Sequence, residues 1–246
     1  MTAVLIMAGG KSTRMRSTGD QCHKALRTVL GVSLLERNLS HALAAGFRDI
    51  FVAVSSHEPS IHAFLSSRGQ ELATRNQAAI SALVEKEPLG TIGIAQRLGA
   101  LACDIVVLNV DNLTTLNLTA FVAHHQTNKA AMTIATHFQG FQVPLGEVVC
   151  DNGRITAYLE KPVHPVRISS GAYVLASRTC NWIENGRRVD IPQLIPMLHA
   201  KGESVAAFEH DSLWIDINDA DALQRAETLV AEHRQEFSYP LPRGMP

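Results

Sequence analysis

Cysteine is scarce in this chain. Only Cys22, Cys103, Cys150 and Cys180 are present, far apart and with no Cys-x-x-Cys pair. That spacing argues against a disulfide framework or a thiolate zinc site and suits free thiols in a reducing compartment. Charge of one sign is lacking too. A formal net charge of −1 gives no electrostatic reason to expect nucleic acid or an anionic membrane as partner. No apolar run approaches the roughly 20 residues that span a bilayer. Met1-Thr2-Ala3 enters an apolar stretch without a basic segment before it, so no signal peptide is read and a cytoplasmic protein is expected. Linkers, low-complexity blocks and hexapeptide repeats are missing, which argues against a β-helix appendage. The 11 histidines form no pattern with metal-like spacing.

What is there is concentrated at the N-terminus. Ala3-Val4-Leu5-Ile6-Met7-Ala8 is an unbroken apolar run, the pattern of a strand buried on both faces. Gly9-Gly10-Lys11-Ser12-Thr13-Arg14-Met15-Arg16 follows at once. Glycines after a buried strand let backbone N–H groups approach a ligand, and Lys11, Arg14, Arg16 and the later Lys24 add positive charge. Together they read as a polyphosphate cradle. It is not a Walker A loop, and the third glycine of the dinucleotide fingerprint is missing.

Further along, apolar runs alternate with helical periodicity. Ser33 to Glu36 forms a capping box for a helix that Gly46 closes. Strands are expected at 50–54, 79–84 and 105–110, and helices near 61–67, 91–102 and 117–125. The last of these strands delivers Asp111 at its C-terminal end. This β-α-β-α order predicts a mostly parallel sheet with helices on both faces, and ligands bound beyond the carboxyl ends of its strands. The second half is richer in strands, at 130–136, 144–150, 154–160 and 171–176, with Asp151-Asn152-Gly153 as a hairpin turn. Asp190 caps a helix ending near Gly202. Short strands at 205–208 and 214–217 and an amphipathic helix over 219–234 complete the pattern. Residues 1–236 read as one domain, with a nucleotide-binding part over about 1–128, a substrate lobe over about 129–236 and a Pro-rich tail at 237–246.

Seven short segments, in order, carry a resemblance. They are Ala8 to Met15, Lys24, Glu87-Pro88-Leu89-Gly90-Thr91-Ile92-Gly93, Asn109-Val110-Asp111, Gly146-Glu147 with Glu160-Lys161-Pro162, Ser170-Gly171-Ala172-Tyr173, and Trp214-Ile215-Asp216-Ile217. Together they resemble the sugar-nucleotide pyrophosphorylase family, the sugar-1-phosphate nucleotidyltransferases, in a short form without a C-terminal β-helix. The resemblance implies a single α/β domain with a GT-A-like, Rossmann-related mixed and mostly parallel sheet flanked by helices. It implies Mg²⁺ and a direct displacement, in which a sugar-phosphate oxygen attacks the α-phosphorus of an NTP and pyrophosphate leaves. Departures stand at Ser12, His23, Val110, Ser169-Ser170 and Asn218, where the family has Gly, Pro, Gly, Asn and Gly.

By this resemblance Arg14 and Lys24 are the catalytic cations on the phosphates. Ala8, Gly9, Gly10, Lys11, Ser12 and Thr13, with Glu87, Leu89, Gly90, Thr91 and Gly93, bind the nucleotide. Gly146, Glu160, Lys161, Ser170 and Gly171 line the sugar-phosphate side, and Asp111 and Asp216 hold the metal. Glu87 as an acceptor-only carboxylate suits the adjacent N1–H and N2–H₂ donors of guanine, so GTP is favoured. The substrates are then small molecules, an NTP and a sugar 1-phosphate, and a homo-oligomer is compatible with the sequence. Gly-Gly-Lys-Ser-Thr-Arg-Met also resembles molybdenum-cofactor guanylyltransferases and alditol-phosphate or phosphocholine cytidylyltransferases. An inactive nucleotide-sensing or assembly subunit is the alternative outside enzymes.

Overall fold

The computed structural model of the protein describes residues 2–9 and 23–239. Its centre is a seven-stranded sheet in the order β12-β8-β11-β6-β1-β4-β5. The strands are β1 (Thr2–Met7), β4 (Asp49–Ser55), β5 (Ala79–Glu85), β6 (Asp104–Asn109), β8 (Met132–Gln142), β11 (Val163–Leu175) and β12 (Val205–Glu209). β1 pairs in parallel with β4 and β6, β4 with β5, and β12 with β8. Only β11 runs against its neighbours. The sheet is therefore mostly parallel, as the alternation of elements predicts.

Apolar side chains on both faces of β1 explain its central place. Val4 and Ile6 enter one cluster with Leu35 and Leu39 of helix α1 (Leu34–Ala44) and Phe121 of α4 (Leu118–Asn128). Ala3 and Leu5 enter the opposite cluster with Ile94 and Leu98 of a 3₁₀ helix (Gly93–Leu101) and Leu194 and Leu198 of α6 (Ile191–Ala200). A strand whose alternate residues face two helical layers needs an unbroken apolar sequence. The Ser33 hydroxyl accepts from the Glu36 N–H at 3.2 Å and fixes the start of α1. α2 (Pro59–Phe64) continues through a wider turn over 65–69 into α3 (Gln70–Arg75).

A smaller layer covers one end of the sheet. The short strands β7 (Asn112–Thr114) and β13 (Trp214–Asp216) pair antiparallel, and α7 (Ala220–Glu232) packs behind them. Asp219 caps α7 by accepting from the Ala222 N–H at 2.7 Å. Phe237 and Tyr239, assigned from sequence to the tail, are buried there with Val29, Leu34 and Ile217. The hairpin of β9 (Glu147–Asp151) and β10 (Arg154–Leu159), turning at Asn152-Gly153, lies between β8 and β11 in sequence. The two-residue strands β2 (Thr28–Val29) and β3 (Val32–Ser33) precede α1, and α5 (Ser177–Trp182) follows β11. Among the described residues no helix is long and apolar enough to cross a membrane.

Candidate active site

From β1 the chain moves to β4 on one side of the sheet and later to β6 on the other. Such a reversal of strand order opens a crevice at the carboxyl ends, here between Gly9 after β1 and Asp111 after β6. A cavity of about 360 Å³ lies there, with two ends. Met7, Lys24, Asn109 and Asp111 line it from the β1–β6 side, Glu85, Pro88, Leu89, Gly90, Thr91, Arg188 and Asp190 from the β5 side, and Gly9 lies against Glu85 between them.

At the first end Lys24 and Asp111 form an ion pair, with both side chains only partly exposed. Asp216 joins them through backbone pairing. The Ile217 N–H donates to the Asp111 carbonyl at 3.0 Å, and Asp216 lies across from Asn112 in the β7–β13 ladder. Burial raises the Asp216 pKa above the ordinary carboxylate value, and the Asp111 charge raises it further. One of its oxygens, Oδ1, is buried with no hydrogen-bond partner among the described residues. Two carboxylates, one with a buried orphaned oxygen, are what a hard cation with oxygen preference relieves. Among the described residues no group of three or more His, Cys, Asp and Glu could hold a metal by itself. A divalent ion held here would take the two carboxylates and complete its shell from water and substrate phosphate.

At the other end a buried glutamate faces the cavity, and it is Glu85 rather than Glu87. Glu85 ends β5 and is 4% exposed, whereas Glu87 is exposed and outside the lining. A carboxylate oxygen of Glu85 accepts from the Leu89 N–H at 3.3 Å, and burial pushes its carboxyl above the ordinary range. Gly9 explains itself here: a Cβ would lie 2.1 Å from Glu85 Oε2. Arg188 and Asp190 come from the loop before α6, which docks on Leu89-Gly90-Thr91. The Val189 N–H donates to the Leu89 carbonyl at 2.9 Å, and the Thr91 N–H donates to Asp190 Oδ1 at 2.8 Å. Gly93 is buried against Arg187 of this loop, outside the cavity lining.

The sugar-side residues are distributed differently. Ser170 is 1% exposed and its hydroxyl sits between His137 Nδ1 at 2.8 Å and His210 Nε2 at 2.7 Å. Burial holds both imidazoles below their ordinary pKa. The Ser170 carbonyl accepts from Asn112 Nδ2 and Trp214 Nε1, each at 2.8 Å. Ser170 is thus a joint that seats Asp216's strand against β11. Gly171 is buried with φ +69°, and a Cβ would lie 1.8 Å from Asn112 Nδ2. Gly146, Glu160 and Lys161 lie beside the β9–β10 hairpin, away from the cavity lining, the last two exposed. Gly10, Lys11, Ser12, Thr13 and Arg14 fall outside the described residues, and Ala8 is buried behind Gly9. Sequence reasoning missed Glu85, Arg188 and Asp190. For Glu85 a signal existed, since it closes an apolar strand as Asp111 does; for Arg188 there was none.

The nucleotidyl transferase family profile matches residues 3–233. The chain is 28% identical over 228 residues to a mannose-1-phosphate guanylyltransferase of Mycobacterium tuberculosis, covering 90% of this chain and 62% of that protein. It is 28% identical over 221 residues to a mannose-1-phosphate guanyltransferase of Yarrowia lipolytica, covering 87% and 60%. The chain thus spans about three fifths of the length of these relatives. Among solved structures, HddC from Yersinia pseudotuberculosis complexed with GMP-PN superposes with a TM-score of 0.68 at 21% identity, over 93% of this chain and 99% of that one.

Proposed function

The chain belongs to the nucleotidyl transferase family, and from that premise we propose that it transfers a guanylyl group from GTP to a sugar 1-phosphate and releases pyrophosphate. The observation that carries this reading is the cavity at the sheet's switch point, lined by the Lys24–Asp111 pair and the buried Glu85 carboxylate, with Asp216 close enough to the pair to feel its charges. Relatives named mannose-1-phosphate guanylyltransferases support a hexose 1-phosphate as acceptor. Residues 1–128 supply most of the nucleotide side, joined there by Arg188 and Asp190, and the rest of 129–236 supplies the acceptor side. The cytoplasm is the compartment we assign, since both substrates and the scattered thiols suit it.

Nucleotidyl transfer asks for positioning and for positive charge against the triphosphate. Lys24 reaches the cavity beside Asp111 and would hold the phosphates, with Arg14 of the glycine-rich loop as its partner. Glu85 would accept the N1–H and N2–H₂ of guanine, the role the sequence assigns to Glu87. Enzymes of this family generally use divalent metal ions. Mg²⁺ is the ion we assign, with Asp111 and Asp216 to hold it; bound there it would neutralise phosphate charge. Lys161 and Glu160 remain our assignments for the acceptor's phosphate and hydroxyls.

The test is pyrophosphate release across GTP, ATP, UTP, dTTP and CTP with hexose 1-phosphates. GTP with a hexose 1-phosphate and Mg²⁺ should be the best combination. Asp111→Asn and Asp216→Asn should each lower kcat/KM by about a thousandfold, the loss of several kcal/mol of charge stabilisation. Asp216→Asn should melt no lower than wild type in EDTA, because it removes a buried like charge. Near-wild-type rates at low Mg²⁺ in either variant would remove that residue from the metal site.

A further inference from the structure

Beyond the Lys24–Asp111 pair, the cavity lining holds two charged groups of opposite sign that come from different elements. Glu85 belongs to the sheet and is buried. Arg188 belongs to the docking loop, and its side chain is 70% exposed at the cavity mouth. Its ion partner among the described residues is Asp190 Oδ2, at 3.4 Å. That contact is long and solvent-facing, so it holds the guanidinium weakly. Asp190 itself is fixed by the Thr91 N–H and by its place in the α6 capping box. Arg188 is thereby placed in the cavity lining, held only by an exposed contact.

These two groups match one base and no other. Guanine carries two donors, N1–H and N2–H₂, next to two acceptors, O6 and N7. A carboxylate accepts from the first edge, and a guanidinium fork donates to the second. Adenine puts a donor where guanine has O6, and pyrimidines have no N7. On the guanylyl-transfer reading above, we infer that Arg188 donates to the O6/N7 edge of the guanine whose N1/N2 edge meets Glu85, so that the base is read from both sides. The role falls to Arg188 rather than to Lys24 because Lys24 sits at the Asp111 end, where the phosphates belong. Arg188 is a specificity residue that acts on the base and leaves the transfer step to the other end.

The experiment compares GTP with 7-deaza-GTP, which lacks the N7 acceptor, and with UTP. Dissociation constants come from calorimetry with Mg²⁺ and no acceptor, and kcat/KM from pyrophosphate release. Wild type should bind GTP roughly tenfold tighter than 7-deaza-GTP. Arg188→Met should weaken GTP by roughly tenfold to a hundredfold and bind the two purines alike, with kcat at saturating GTP and KM for the sugar phosphate unchanged. Arg188→Lys keeps the charge without the fork and should leave the two purines nearly equal. Equal binding of GTP and 7-deaza-GTP by wild type would overturn the inference. An Arg188→Met loss that is the same for GTP, 7-deaza-GTP and UTP would overturn it too, marking a phosphate contact. A wild-type preference for UTP sinks the inference but leaves nucleotidyl transfer standing. Selective GTP binding without pyrophosphate release upholds base reading and sinks the transfer reading instead.

Discussion

At Glu85 the proposed base contact is tied to stability through one titrating carboxyl. Burial raises its carboxyl pKa, with the Leu89 N–H and Arg97 pulling the other way. A folded-state pKa above the unfolded value contributes stability at acid pH, and that contribution is lost as pH rises through the folded value. Ionised Glu85 therefore costs the free protein stability at neutral pH, and guanine's two donors are what would compensate it. The sign for binding is opposite. GTP affinity should fall as the carboxyl is protonated, so KM for GTP should rise on the acid side from a pH above the ordinary carboxylate range. Glu85→Gln should lose this acid limb and weaken GTP by about 1–3 kcal/mol, since an amide presents one acceptor. It should not melt lower than wild type at neutral pH. KM measured against pH in both proteins, with melting curves, decides this; an identical acid limb in the variant would assign the titration elsewhere. In the sequence, Glu85 and Glu87 both precede the same Pro-Leu-Gly-Thr segment, and the choice between them depends on where β5 ends. β5 includes Glu85, whose backbone pairs with Ser55, so its side chain falls inward and Glu87 is left in the exposed turn. Strand ends are set by pairing with a neighbour, which the local pattern does not contain. Asp111 was legible because an apolar run stops directly at it.

At the scale of elements, the site is two loops held together. Gly90 has φ +81°, and a Cβ there would lie 2.5 Å from the Val189 carbonyl oxygen. Thr91 Oγ1 accepts from the Ile191 N–H at 3.1 Å, which fixes the start of α6 against the same turn. Gly90→Ala should therefore cost about 1–3 kcal/mol and separate the loops, because both the backbone angle and the contact are lost. The check is denaturant unfolding together with GTP affinity. GTP binding should weaken more than global stability does, since the loops can part without unfolding the sheet. Unchanged affinity would mean that the Val189 loop does not shape the base end. Gly90 and the capping role of Asp190 were both readable locally. Their meeting was not, because the Thr91–Asp190 hydrogen bond that makes it joins positions 99 residues apart. The same limit explains the strands of the second half. The sequence gives a strand over 171–176, yet β11 runs Val163–Leu175 and pairs with β8 along most of its length. Pro165 and Arg167 within it hide the period, and they are tolerated because this part of the ribbon is exposed. The helix expected over 91–102 is a 3₁₀ helix over Gly93–Leu101, whose glycines pack against Arg187 and Asn181.

On the scale of the whole molecule, the two substrate sides rest on parts of unequal rigidity. The nucleotide cavity is built on β1, β5 and β6, with β1 and β6 buried between two helical layers. Gly146, Glu160 and Lys161, proposed for the acceptor, belong instead to an arm that leaves the sheet where β8 and β11 run past it. In that ribbon Phe138 and Phe141 lie on opposite faces, and both are exposed, as are Leu145, Ile155, Tyr158 and Val163. With apolar residues outward on both faces, the arm has no core of its own, and a two-stranded hairpin alone is marginal in water. Its amides should open locally, far below the free energy of global unfolding. Hydrogen exchange should therefore be at least about a hundredfold faster over 147–159 than over β1 and β6 in the free monomer. GTP with Mg²⁺ should slow exchange around 85–91 and leave the arm unchanged. Adding the sugar 1-phosphate should slow the arm, because Glu160 and Lys161 then gain a partner. Arm amides that are protected in the free protein to the same degree as β1 would show that the ribbon is covered, and would locate the acceptor's ordering effect elsewhere. Protection of the arm by GTP alone would remove the division of labour between the rigid sheet and the exposed ribbon.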